Sequence, residues 1–198
     1  RSTAKGNEIA LLENKKLVEI HLEKDENSFK VGDVFLGRVR KVMPGMNAAF
    51  VDIGYEKDAF LHYTDLGPGF KTYAQFFKGV MSGSKTNISQ ANFLSDIDKK
   101  GKINDVLSSK TLIPVQVFKE PISSKGPRLT TEISIAGRYL ILTPLVKTIG
   151  VSKKIAKEDE RDRLKRLLKS LTPQNFGVII RTAATGKGAA ELHKDLTN

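Results

Sequence analysis

The sequence predicts a mixed α+β chain built around a small β-barrel or sandwich, and three observations carry that reading. Short apolar strands broken by turn residues run from Asp33 to His62, and Thr111–Lys119 adds a further one. Glu158–Leu171 is an amphipathic helix: Leu164, Leu167, Leu168 and Leu171 recur at i, i+3, i+4 and i+7, with Lys and Arg on the other face. Gly177–Arg181 is an apolar run of the length and texture of a buried strand.

Taken in order, Glu8–Leu12 and Leu17–Leu22 flank Glu13-Asn14-Lys15-Lys16 and predict a hairpin. In its second arm Val18, Ile20 and Leu22 alternate with Glu19, His21 and Glu23, the period of a half-buried strand. A polar linker, Lys24–Lys30, leads to strands at Asp33–Val42, Ala48–Ile53 and Asp58–His62, separated by Pro44-Gly45 and Gly54. Gly67–Gly101 is rich in Gly, Ser, Asn and Lys, with Phe70, Tyr73, Phe76 and Phe77 near its start. It reads as a long, partly mobile insertion with a helical turn around Tyr73–Phe77. Thr111–Lys119 is the closing strand, with Ile113, Val115 and Val117 on one face. Arg128–Ile135 and Tyr139–Thr143 are two further strands, Pro173 stops the long helix, and a last helix is expected over Ala189–Leu196.

Composition narrows the function. The chain has 39% hydrophobic and 28% charged residues, ordinary for a soluble protein, and no apolar run near the ~20 residues of a membrane span. Arg1–Asn7 is polar, so no secretion signal is expected, and the missing initiator Met suggests a piece of a longer protein. The absence of Cys excludes disulfides and thiolate zinc sites within this chain and fits a cytoplasmic location. Lys and Arg number 33 against 22 Asp and Glu, a net charge of +11. Such a balance points to a polyanionic partner, nucleic acid first, because each neutralised phosphate releases counterions. A basic solubilising surface is the alternative.

Phe50 and Phe60 stand among small or apolar neighbours in adjacent strands. Either they face outward as platforms on which bases stack, worth about 1–3 kcal/mol per base, or they fill the barrel core. Period alone does not choose between these, but Arg38, Arg40, Lys41 and Lys57 nearby suit a phosphate track and favour the platform. Several catalytic signals are set aside. Thr185-Gly186-Lys187-Gly188 lacks the upstream Gly and the Ser or Thr of a phosphate loop. His21, His62 and His193 lack metal-ligand spacing, and Asp96 and Asp98 read as solvated loop charges rather than Mg²⁺ ligands. Glu158, Asp159 and Glu160 open the long helix, where acids meet the helix dipole favourably.

Gly37-Arg38-Val39, then Ala49-Phe50-Val51-Asp52-Ile53-Gly54, then Ala59-Phe60-Leu61-His62 resemble, in order and spacing, the S-one domain, an OB-fold module that binds single-stranded RNA. Asn47–Leu61, Leu129–Leu142 and Ile179–Gly186 together resemble the ribonuclease E/G family over nearly the whole chain, apart from the insertion. That resemblance implies half of an RNase-H-like subdomain at 1–31, an OB-type five-stranded S-one barrel at 32–131 with the insertion 67–101, and a small α+β sensor of the RNA 5′ end at 132–198. It places Arg181 and Thr182 on the 5′-monophosphate pair, and Gly137 and Ile141 along the terminal nucleotide. Lys153 stands where the family has an Arg. Phe50 and Phe60 fall on the aromatic RNA platform, with Lys125 a basic contact beside it and Arg38 nearby. The parent protein is then expected to be a Mg²⁺-dependent endoribonuclease of RNA processing and decay, cutting single-stranded RNA with a 5′-monophosphate end and assembling as a homo-oligomer. Its catalytic aspartates and a thiolate Zn²⁺ link between protomers would lie in a later region, so this chain is expected to bind RNA without cutting it. The rival expectation is a non-catalytic S-one RNA-binding protein; a phosphate-ligand enzyme using Gly186–Gly188 is weaker.

Overall fold

The structure, a computed structural model, describes residues 2–3, 6–24 and 29–197, with side chains over 10–20 and 29–197. His21 and Leu22 are thus described in backbone only, and residues 25–28 of the expected linker lie outside the described residues.

β1 (Ser2–Thr3), β2 (Gly6–Glu13) and β3 (Lys16–Lys24) form a three-stranded antiparallel sheet in chain order. The expected hairpin joins β2 to β3 through Asn14 and Lys15, both at positive φ (50° and 64°). Two such residues make the turn whose twist matches that of the flanking strands. Of the face expected to be half-buried in β3, Val18 and Ile20 are each more than half exposed, as are Leu11, Leu12 and Leu17 beside them, while the Leu22 side chain lies outside the described residues. Alternation selects which side chains share a face, but burial needs a covering layer.

The barrel uses β4 (Val34–Met43), β5 (Ala48–Asp52), β6 (Ala59–His62), β7 (Leu112–Lys119) and β8 (Arg128–Thr130). They close in the order β4-β5-β6-β8-β7, with β6 and β8 parallel and the other pairs antiparallel. This is the five-stranded closure of an OB-type barrel. Its interior is the inward half of each alternation: Val39, Ala49, Val51, Ala59, Leu61, Ile113, Val115, Val117 and Leu129 are all buried. Gly37 is required there, because a Cβ would stand 2.5 Å from Val51 Cγ1. The strand expected over Arg128–Ile135 is two pieces. Arg128–Thr130 closes the barrel, and the chain then leaves it where the Thr131 hydroxyl donates to the Leu66 carbonyl at 2.6 Å.

The segment expected to be a partly mobile insertion is instead built onto the barrel. α1 (Phe70–Met81) is three turns long and buries Phe70, Thr72, Tyr73 and Phe76. The Tyr73 hydroxyl donates to the Pro114 carbonyl of β7 at 2.6 Å, and burial pushes its pKa upward. Ile97, Ile103 and Leu107 join the same core, Ile103 from the single-turn α2 (Ile103–Val106).

The remaining residues form a second body. β9 (Ile135–Ala136), β10 (Leu140–Pro144), β11 (Ile149–Val151) and β12 (Phe176–Ile180) make a sheet in the order β11-β12-β10-β9, with β11 and β12 parallel. α3 (Glu158–Leu171) occupies the expected range, and α4 (Ala189–Thr197) ends the described chain. Leu164 and Leu168 of α3 pack with Leu140, Val178, Ile180 and Leu192 in a core separate from that of the barrel. An apolar cavity of about 420 Å³ lies between barrel and sheet. Among the described residues no helix is long and apolar enough to cross a membrane.

Candidate nucleic-acid interface

Barrel alternation decides how Phe50 and Phe60 face. Ala49 and Val51, Ala59 and Leu61 point into the core, so Phe50 and Phe60 point outward and are only partly buried. They are direct cross-strand partners, with ring centroids 6.0 Å apart at 67°. His62 continues the row, its ring 6.3 Å from that of Phe60, while its Nδ1 accepts from the Thr64 N–H at the start of the turn Tyr63–Leu66. Around the two phenylalanines runs a groove of about 830 Å³, lined also by Met46, Lys57, Lys119, Lys125 and Arg128. Lys125 is carried there by a loop whose Gly126 backs onto the Asp58 carbonyl, an approach that any Cβ would block.

The basic residues expected on this face divide. Lys57 and Lys125 line the groove; Arg38 is exposed on β4 opposite Asp52, outside the groove lining. Arg40 is engaged by Asp52 at 2.8 Å and Asp58 at 3.1 Å. The Gly54 N–H, followed by that guanidinium, holds the Asp52 carboxyl below its ordinary range. Sequence reasoning missed Arg128 and Phe118. Arg128 is opposite Phe60 in the parallel β6–β8 pair and is fixed by Asp65 through bonds of 2.7 and 3.0 Å. Phe118 is 50% exposed, its ring 5.9 Å from the Arg128 guanidinium. Its signal was available: Ile113, Val115 and Val117 share the inward phase of β7, so Phe118 falls in the outward one.

The four-stranded sheet gathers the residues expected at the RNA 5′ end at its strand ends. Leu140, Val178 and Ile180 face α3, so Ile141, Ile179 and Arg181 share the opposite face, with Ile141 paired to Ile179. Arg181 is exposed, and its Nη1 donates to the Gly137 carbonyl at 2.6 Å. Thr182 follows, exposed, at the start of a 3-10 turn over Thr182–Ala184. Lys153 is exposed in the turn after β11. That turn is tied to β12 by the Ser152 N–H on the Ile180 carbonyl, and to α3 by Arg161 on the Ser152 carbonyl, both at 2.9 Å. Gly137 and Arg181 therefore touch, Ile141 lies on the same face, and Lys153 stands at the neighbouring strand end. A guanidinium with one N–H on a carbonyl keeps donors for two oxygens of a phosphate, and a hydroxyl beside it adds another contact. Ile179, 44% exposed between Ile141 and Arg181, was not singled out from the sequence, although its alternation with Ile180 marks it.

The weaker candidates find local explanations. The Gly186 and Gly188 N–H groups of the phosphate-loop-like stretch donate to Glu160 and Glu191, so carboxylates already fill them. Arg163, followed by the Gly186 N–H, lowers the Glu160 pKa to about 2. Asp98 takes the Lys100 N–H in a turn. Among the described residues no group of three or more His, Cys, Asp or Glu could hold a metal.

Residues 134–198 match the model of the Ribonuclease E/G family. The chain is 39% identical to ribonuclease G of Escherichia coli over 187 residues, 94% of this chain and 35% of that protein. The same figures hold for ribonuclease G of Haemophilus influenzae. Similarity to ribonuclease E of Nostoc is 36% over 168 residues, 84% of this chain and 21% of that protein. The chain thus spans about a third of the length of these ribonuclease G relatives. With the similarity running through both the barrel and the four-stranded sheet, the chain belongs to the ribonuclease E/G family.

Proposed function

We propose that this chain is the RNA-gripping and 5′-monophosphate-sensing portion of a Mg²⁺-dependent, single-strand-specific endoribonuclease that processes and degrades RNA. The observation that carries the reading is the outward pair Phe50 and Phe60 in a groove lined by Lys57, Lys119, Lys125 and Arg128. Rings with exposed faces stack unpaired bases, and cations beside them meet the backbone, a combination suited to single strands. At the sensor end, Arg181 and Thr182 would take the terminal phosphate while Ile141 packs the first nucleotide and Lys153 adds charge. Binding spread over both places aligns a distant scissile phosphate, so affinity far from the cut lowers the barrier there.

Hydrolysis itself is assigned to other residues of the parent protein. Mg²⁺ would support phosphodiester cleavage, and a thiolate Zn²⁺ link would join protomers of a homo-oligomer. The donors for both would come from outside these 198 residues, which include no Cys. This portion alone should bind RNA without cutting it.

The test compares one oligonucleotide carrying a 5′-monophosphate or a 5′-hydroxyl, with affinities read by fluorescence anisotropy. Wild-type protein should prefer the monophosphate, and Arg181→Ala should bring the ratio to one. A variant that still discriminates would remove Arg181 from the sensor.

A further inference from the structure

We propose that Asp195, on α4, is a positioning residue for the terminal-phosphate site: its carboxylate fills a nest of three consecutive backbone N–H groups and so sets the Gly137 carbonyl on which Arg181 rests. The inference builds on the sensing role assigned above. Asp195 Oδ1 accepts from the Arg138 N–H, and Oδ2 accepts from the Tyr139 and Leu140 N–H groups, all at 2.9 Å. Successive amides turned to one point form an anion-binding concavity, and bonds to a carboxylate are stronger than those to a neutral acceptor. The Gly137 N–H closes the same turn on the Leu140 carbonyl at 2.8 Å. A Cβ on Gly137 would stand 2.5 Å from Oδ2, so glycine lets the carboxylate seat.

The turn held this way offers its Gly137 carbonyl to Arg181 Nη1 at 2.6 Å. Five guanidinium donors lie in one rigid plane, so anchoring one N–H orients the rest. Asp195 is itself located by the sensor core, because Leu192, one turn earlier on α4, is fully buried. Position therefore passes from the core to α4, to the β9–β10 turn, to the guanidinium. A carboxylate seated in the amide nest also keeps the RNA phosphate out of it and directs that phosphate to the arginine alongside.

The test places Asp195→Asn, Asp195→Ala and Arg181→Ala of this chain in the same paired binding assay, where the monophosphate-to-hydroxyl ratio cancels changes in barrel binding. Asn keeps the shape but turns an N–H donor toward the amides. It should cut the ratio about tenfold, the loss of one net hydrogen bond. Formate, a carboxylate small enough to enter the vacated nest, should restore the ratio in Asp195→Ala and leave the wild type unchanged. A full ratio in both Asp195 variants, with Arg181→Ala reduced to one, overturns the positioning role and leaves the sensor standing. A full ratio in all three overturns the sensor as well. Should Asp195→Ala not fold, the Asn variant decides. Should neither fold, the wild-type amide resonances of 138–140 decide: they must shift on adding monophosphate RNA and not hydroxyl RNA, or the inference falls.

Discussion

The barrel face around Phe50 and the end of the four-stranded sheet around Arg181 differ in how they present their exposed groups. On the barrel, Phe50 and Phe60 face outward because their sequence neighbours face inward, and one direct cross-strand pair places both rings. At the sheet end, Arg181 leaves the end of β12 and is oriented by the Gly137 carbonyl, whose turn is held by a carboxylate 55 to 57 residues away. A strand's period of two carries side chains to a face without further help. Orienting a guanidinium needs backbone groups fixed from several directions. Sites of the first kind should tolerate distant changes, and sites of the second kind should not.

The strongest way to break this contrast is Leu168→Ala, which empties a fully buried position in the core between α3 and the four-stranded sheet. It should destabilise that body by about 2–5 kcal/mol. Urea unfolding followed by site-specific probes should show the sheet and α3 melting first. Monophosphate preference should be lost while the barrel still binds single strands; loss of both together would show that the two cores act as one. Next in size, Phe50→Ala should weaken single-stranded RNA binding by about 1–3 kcal/mol, with little change in the unfolding midpoint. The reverse pattern would mean that the ring is worth more to the fold than to RNA. Phe118→Ala should have a smaller effect on the same titration, about 0.5–1 kcal/mol, since its ring shares the exposed face with Arg128 at 5.9 Å.

The smallest effect concerns the clamp of α3 on the Gly186 turn. The Glu160 pKa lies at about 2 in the folded chain against an ordinary 4.5. A lowered folded pKa stabilises the fold above the unfolded value and is lost as pH falls through the folded one. Its contribution should therefore be whole above about pH 4.5 and fade toward pH 2. Thermal midpoints of Glu160→Gln and wild type should differ near neutral pH and converge in acid; parallel curves would show that the clamp carries no net stability.

Reading the sequence located most strands of the barrel and the bounds of α3, because each obeys one uninterrupted period. It placed a helical turn at Tyr73–Phe77 but not the full length of α1. Phe70, Tyr73 and Phe76 are spaced for a helix face, but the Gly, Ser and Lys that follow gave the segment the texture of a loop. The break inside Arg128–Ile135 was also hidden, since Thr131 and Gln116 divert the chain through contacts with Leu66 and Ser134. The hairpin shows the converse: its alternation is clear, yet Val18 and Ile20 stay exposed.

By itself the sequence determined which residues alternate, where α3 and α4 lie, the basic charge that suits a polyanion, and the family. Only the tertiary structure decided that Phe50 and Phe60 turn outward, that Gly67–Gly101 packs on the barrel, and that Asp195 reaches the turn beneath Arg181. The physical reason is range. Periodicity and caps act over a few residues of one chain segment, whereas the facing of a closed barrel and the aim of an arginine depend on groups brought together across the whole fold.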